Sequence, residues 1–246
     1  ERKDGAFLLH TDNADVKVCF VTDEIVRVRA SFDHELAEES YILMTTAWED
    51  RMDDLFKGER TRVEPFAAEV TEDDKTITFA TGKVTLVVEN DPINFKLYDK
   101  EGKLLYQDLR ERAFEKDQIG RLTHFSKVDR EYDHFFGFGE KTGELDKNKT
   151  FQRERATDAM GYDAEKMDTL YKHIPFYIRL DRDTKKAVGV FYHNFYESVF
   201  NMGREKRNYW HRYSSYRTDA GDMHLFLIAG PSTREIIERY TDLTGK

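Results

Sequence analysis

Cysteine is nearly absent: the 246-residue chain holds a single one, Cys19. A disulfide framework within the chain is therefore excluded, and a thiolate metal cluster has nothing to draw on. The alternating run VKVCF around Cys19 reads as a strand, with the thiol a small buried hydrophobe. Long apolar runs are also missing. None approaches the ~20 residues of a membrane-spanning helix, so no membrane partner is expected. No signal peptide is visible, but the chain begins ERKDG without Met, which leaves the compartment open with the cytoplasm favoured. A long basic run is absent too. Lysine and arginine number 39 against 48 acids, a net charge of −9, and REKR at 204–207 reads as a solvated turn. Nucleic acid is not an expected partner.

Chemistry-bearing motifs are scarce. His124, His134, His173, His193, His211 and His224 have at least nine residues between neighbours, so none forms the close pair that metal sites favour. No G-x-S-x-G nucleophile elbow occurs. The glycine-rich stretch FFGFGEKTGELD (135–146) has a lysine and a threonine but fails as a phosphate cradle. A P-loop places Gly immediately before the lysine; here Glu140 precedes Lys141, and an acid repels phosphate. The spacing Gly137, Gly139, Gly143 is one residue too long for the dinucleotide fingerprint. A glycine-rich turn between strands remains.

What is present is strand signal. Hydrophobic residues make up 39% and aromatics 13% of the chain, too much for disorder and enough for a sizeable core. In IVRVRA (25–30), Val26, Val28 and Ala30 face one way and Arg27 and Arg29 the other, predicting a half-buried strand. Residues 76–80 and 84–89 around Thr81-Gly82-Lys83 form an expected hairpin. So do 95–98 with 104–106, and 174–180 with 187–194. MHLFLIAG (223–230) is nearly continuously apolar, as expected of a strand buried on both faces. The fold class predicted is all-β, a large antiparallel β-sandwich. Within WEDRMDDLF, Trp48, Met52, Leu55 and Phe56 fall on one helical stripe and predict an internal helix.

The last segment, PSTREIIERYTDLTGK, predicts a short C-terminal α-helix. Ser232 is its N-cap with Glu235 at N3. Ile236, Ile237, Tyr240 and Leu243 form an apolar stripe, and Gly245 is the terminating glycine. The expected domains are a sandwich over 1–230 and a capped helix over 231–246. A natural domain can end in such a helix, and an apolar helix that leads nowhere also fits a chain cut at a domain boundary.

Two stretches offer binding chemistry. RATDAMGYDAEK (155–166) gathers Thr157, Asp158, Tyr162 and Asp163, the equipment for sugar hydroxyls. A plain Asx-type turn explains the same residues. FYHNFYESVFNMG (191–203) is dense in aromatics, which read either as a sugar platform or as core.

The order of these segments resembles glycoside hydrolase family 31, the α-glucosidases, α-xylosidases and relatives. HFFGFGEKTGELDK, RATDAMGYD, DTLYKHIPFYI, AVGVFYHNFYESVFNMG and FLIAGPSTREIIERYTDLTGK follow one another as in that family's N-terminal region. The resemblance spans essentially the whole chain. It implies a galactose mutarotase-like super-sandwich preceding a (β/α)8 catalytic barrel that holds both catalytic carboxylates, so no catalytic residue is expected here. It implies no cofactor and no metal. The implied partners are an α-linked oligosaccharide or glucoside and the chain's own C-terminal barrel, with self-association through the barrel-facing surface also open.

Matched to the family's motif, Asp158 is the expected substrate-binding residue, flanked by Ala159 and by Met160 as an apolar wall. Thr157, Tyr162 and Asp163 are expected to support the loop. Ala156 stands where Asn is common, and His193 near a position often held by Asp. Two alternatives stay open: a stand-alone carbohydrate-binding sandwich, and a mutarotase-like epimerase needing a His acid and a Glu base.

Overall fold

The computed structural model describes residues 1–3, 5–36, 38–128, 133–163, 165–167, 169–209 and 211–246. Ala164 and Asp168, inside two of the quoted motifs, lie outside this set. The chain folds as an antiparallel β-sandwich closed by one α-helix. One layer is an eight-stranded sheet, in the spatial order Arg2–Lys3, Ala6–His10, Asp15–Phe20, Ile25–Ser31, Met223–Ala229, Ala187–Tyr192, Phe176–Asp181 and Asp133–Gly137. The facing layer consists of two five-stranded sheets. The first runs Leu104–Gln107, Ile93–Asp99, Val84–Asn90, Thr76–Ala80 and Glu69–Glu72. The second runs Phe114–Lys116, Leu122–Lys127, His211–Thr218, Ser198–Arg207 and Phe151–Glu154. A bridge between Asp108 and Ser126 joins them.

The predicted hairpins form where glycine turns were read. Thr76–Ala80 pairs with Val84–Asn90, Ile93–Asp99 with Leu104–Gln107, and Phe176–Asp181 with Ala187–Tyr192. Strand alternation then sorts the side chains. Val26, Val28, Val190, Leu225 and Leu227 project inward against Phe79, Leu86, Phe95, Phe200 and Tyr216 of the facing layer. Each such fully buried side chain contributes about 1.5–3 kcal/mol by leaving water. Phe226 and Ile228 project to the opposite face, where they are equally buried. Met223–Ala229 is thus covered on both sides, which is why its sequence shows no polar alternation.

The helix α1, Thr233–Thr244, covers part of that outer face. The Ser232 hydroxyl accepts from Arg234 N–H at 3.2 Å, and Ser232 also bonds the Glu235 carboxylate. Ile236 and Leu243 are buried, and Tyr240 stacks on Phe176 with centroids 3.9 Å apart. Gly189 admits this close approach: a Cβ there would lie 2.7 Å from Ile236 Cγ2. The apolar stripe is therefore largely sheltered by this chain's own sheet, with Ile237 left half-exposed. The last turn is held by the 44–45 segment, Met44 N–H donating to Leu243 O and Thr45 Oγ1 to Asp242 O, both at 2.8 Å.

Two expectations are corrected. The predicted helix around 48–56 shrinks to a single 3-10 turn, Arg51–Asp54. Only part of its stripe is covered: Trp48 packs on the outer-face core while Leu55 is 67% exposed, too little to offset the cost of helix nucleation. Arg60 instead pins the segment through Asp50 at 2.8 Å and Asp53 at 3.0 Å. Second, Ile25–Ser31 is buried on both faces, not half-buried. Arg27 and Arg29 are 1% and 8% exposed, because residues 38–48 fold over them. The Trp48 ring lies 3.6 Å from the Arg27 guanidinium, and Glu38 pairs with Arg27 at 2.6 Å.

Candidate functional site

The strand Phe151–Glu154 ends where the chain leaves the sandwich, and it re-enters at Phe176. Between them, the described residues of 155–173 form a long loop with a pinned neck. Glu154 makes the pin. It is fully buried, its Oε2 accepts from Ile174 N–H at 2.7 Å, and its Oε1 pairs with Lys141 Nζ at 2.9 Å. Lys141 also donates to Arg153 O, and Thr142 Oγ1 donates to Met167 O. The glycine-rich stretch is thus a buttress for this loop. Its lysine, buried against Glu154, has no reach toward a phosphate.

The local backbone explains the glycines. At Gly137, with φ +142°, a Cβ would sit 2.5 Å from Phe176 O. Phe138 takes a left-handed φ of 65°, uncommon for a bulky residue. It is fully buried against Tyr177 and Phe200, with centroids at 5.3 and 5.0 Å, and its N–H donates to Phe176 O at 2.8 Å. Aromatic packing outweighs the backbone cost, and the chain turns sharply enough to bring Lys141 under the loop.

Above the neck, Thr157 N–H donates to Leu170 O at 3.1 Å, crossing the loop. Asp163 accepts from Glu165 N–H at 2.9 Å through its carboxylate, and from Met167 N–H at 3.1 Å through its carbonyl. Ala159 is buried. Beside it Asp158 is exposed, Met160 is 82% exposed and Tyr162 is half-exposed. The loop therefore combines an anchored base with an accessible carboxylate and an uncovered thioether.

The fold also assembles groups far apart in sequence. Arg27 Nε donates to His224 Nε2 at 2.7 Å. That leaves the His224 proton on Nδ1, which donates to His193 Nδ1 at 3.1 Å. His193 Nε2–H then donates to Ser40 Oγ at 2.7 Å. Both imidazoles are held neutral. Burial, with Arg27 beside it, pushes His193 down to about 3 and His224 well below the usual histidine value. All four ring nitrogens are engaged, so this pair offers no free acid for the epimerase alternative. Burial alone would raise Glu38, but Arg27 and Lys17 hold its carboxyl below the usual range. Among the described residues, no group of three or more His, Cys, Asp or Glu is arranged to hold a metal ion. Cys19 is buried, and burial raises its thiol, an inert setting.

Residues 15–201 match the family described as glycosyl hydrolase 31 N-terminal galactose mutarotase-like domain. The chain belongs to that family. It is 28% identical over 241 residues to alpha-glucosidase 2 of Bacillus thermoamyloliquefaciens, covering 98% of this chain and 27% of that protein. The alpha-glucosidase of Saccharolobus solfataricus is 31% identical over 114 residues, 46% of this chain and 15% of its own length. The family 31 dextranase of Flavobacterium johnsoniae, solved with glucose, superposes with a TM-score of 0.79 at 25% identity, covering all of this chain and 29% of that one. An alpha-xylosidase from a soil metagenome, solved with xylose, shares the fold at a TM-score of 0.73 and 14% identity, covering 100% and 34%. The chain thus spans under a third of the length of these curated relatives.

Sequence reasoning missed one feature of this family 31 domain. The aromatic-dense stretch divides in two: Phe191, Tyr192 and Phe200 are core, whereas Phe195 and Tyr196 stand on the surface. The signal was HNFYE, where strict alternation breaks as the chain leaves the strand at Tyr192.

Proposed function

We propose that this chain is the N-terminal domain of a retaining, exo-acting α-glucosidase-type hydrolase and contributes a substrate-contacting loop. The observation that carries the reading is the pinned loop 155–173. Its neck is fixed by Glu154, Lys141 and Thr142, and its tip leaves Asp158 and Met160 accessible. A carboxylate on a fixed base accepts hydrogen bonds from sugar hydroxyls without moving, which limits the ordering cost of binding. Met160 supplies an apolar wall for the sugar's C–H face. Asp158 orients substrate and transfers no proton. The chemistry belongs to a C-terminal (β/α)8 barrel, whose two carboxylates would stand about 5–5.5 Å apart for retention through a covalent glycosyl intermediate. The sandwich supports that barrel, with 231–246 leading into it. The substrate class is an α-linked glucoside or xyloside released from a non-reducing end.

Assaying this chain and the full-length enzyme side by side on p-nitrophenyl α-D-glucopyranoside and α-D-xylopyranoside tests the division of labour. The enzyme is expected to turn over one of them, and the chain alone neither. Hydrolysis by the purified chain would overturn the reading.

A further inference from the structure

A second concave site lies where Tyr192 and Met223 leave the eight-stranded sheet. Its cavity of about 370 Å³ is bounded by Phe195 and Tyr196 on one side and by Arg29, Asp222 and Glu39 on the other. This volume is at the low end of the roughly 300–1,000 Å³ typical of small-ligand pockets, which suits one or two sugar rings and not a long chain.

The site is built from fixed parts. Arg29 is buried and donates through Nη2 to Asp222 Oδ2 at 2.7 Å. Arg29 lines the cleft beside Asp222. Asp222 is held from behind, its carbonyl accepting from Asn194 Nδ2 at 3.1 Å. The same amide donates to Ala220 O at 2.9 Å, and Asn194 Oδ1 accepts from Tyr196 N–H at 3.0 Å. One buried asparagine therefore sets both the polar floor and the aromatic wall. Tyr196, 57% exposed, rests against Gly221, where a Cβ would fall 3.3 Å from its ring. Phe195 packs on His173 with centroids 5.7 Å apart, which ties this wall to the end of the 155–173 loop.

The charges select the ligand. Arg29 is balanced by Asp222, Glu39 is balanced by Arg51 at 3.0 Å, and the two histidines beneath are neutral. With each carboxylate paired to an arginine, the cleft has no uncompensated positive charge to hold a phosphate or a carboxylated ligand. Paired donors and acceptors against an aromatic wall match a neutral polyol, whose hydroxyls both donate and accept while its C–H face lies on a ring. We propose that this cleft is a carbohydrate-binding site for a neutral pyranose unit, with Tyr196 and Phe195 as its wall and the Arg29–Asp222 pair as its polar contact. The proposal rests on this cleft alone and not on the role assigned to Asp158.

Calorimetric titration of this chain with maltose, and separately with glucose 6-phosphate, tests it. Maltose is expected to bind with a Kd of about 1 mM, the weak end of specific affinity, and glucose 6-phosphate at least tenfold more weakly. Tyr196→Ala, at a surface position whose backbone bond to Asn194 is retained, is expected to weaken maltose at least tenfold with Tm unchanged. Arg29→Lys keeps the charge but loses the planar guanidinium that holds Asp222, and is expected to weaken it as well. Absence of maltose binding at 50-fold the expected Kd would overturn the proposal. So would binding that survives Tyr196→Ala but is lost in Asp158→Ala, which places the sugar on the loop tip instead.

Discussion

The two faces of the eight-stranded sheet are made by the same strands, yet they differ in kind. The inner face is a mostly apolar core, in which Val28, Val190, Leu225 and Leu227 meet the aromatic side chains of the facing layer, with a buried polar group, His124, bonded to Asp108 and to the Tyr192 hydroxyl, both at 2.8 Å. The outer face is apolar only beneath α1, where Ile236, Leu243 and Tyr240 cover it. Its other half holds the chain Arg27–His224–His193 under residues 38–48, with Arg29 paired to Asp222 beside it. Burying charge is costly unless every partner is present. The apolar contacts of the inner face therefore supply stability that is indifferent to pH. The outer face fixes one arrangement of the 38–60 segment and of the cleft edge beside it, and its contribution depends on protonation.

The comparison can be broken from either side. Arg27→Ala is expected to have the largest effect, a loss of about 4 kcal/mol, because it leaves Glu38 and His224 without their buried donor; denaturant unfolding at pH 7 measures it. Leu227→Ala on the inner face is expected to cost about 3 kcal/mol through lost burial and a cavity, with the same value at pH 5 and pH 7. The histidines sharpen the contrast. An unfolded imidazole binds a proton below about pH 6.5, while native His193 stays neutral down to about 3. Between those values the unfolded state carries more protons, so stability falls as pH drops. From His193 alone the loss between pH 7 and pH 5 is about 2 kcal/mol. Carboxylates such as Glu38 begin to lose stabilisation only below about pH 4.5, so unfolding curves between pH 5 and 7 isolate the imidazoles. His193→Gln is expected to flatten that slope; an unchanged slope would show that the chain of histidines is not the pH-sensitive element. The smallest expected change is Asp158→Ala, which shifts stability by less than about 0.5 kcal/mol, since this exposed side chain sits away from the bonds that fix the loop.

The inner face was legible in the sequence and the outer face was not. Hairpins declare themselves through period-2 patterns and glycine turns, and the unbroken apolar run at Met223–Ala229 correctly signalled cover on both sides. Binary pattern reads every outward arginine as solvated. Arg27 and Arg29 looked so because pattern cannot see that residues 38–48 return across the strand. The same blindness produced the extra helix near 48–56: Trp48 finds a surface but Leu55 does not. At the site, local sequence suggested hydroxyl-binding equipment in 155–166, and resemblance singled out Asp158. Neither revealed the neck, because Glu154, Lys141 and Ile174 are brought together only by the sharp turn at Gly137 and Phe138. Phe195 and Tyr196 were hidden among core aromatics of the same composition.

Steady-state kinetics of the full-length enzyme with Asp158→Ala, on the α-glucoside or α-xyloside it turns over, tests the central claim most directly. The account predicts a fall in kcat/KM of about tenfold or more, the loss of one or two charge-assisted hydrogen bonds to substrate, with Tm unchanged. Unaltered kinetics in a folded Asp158→Ala enzyme would contradict it.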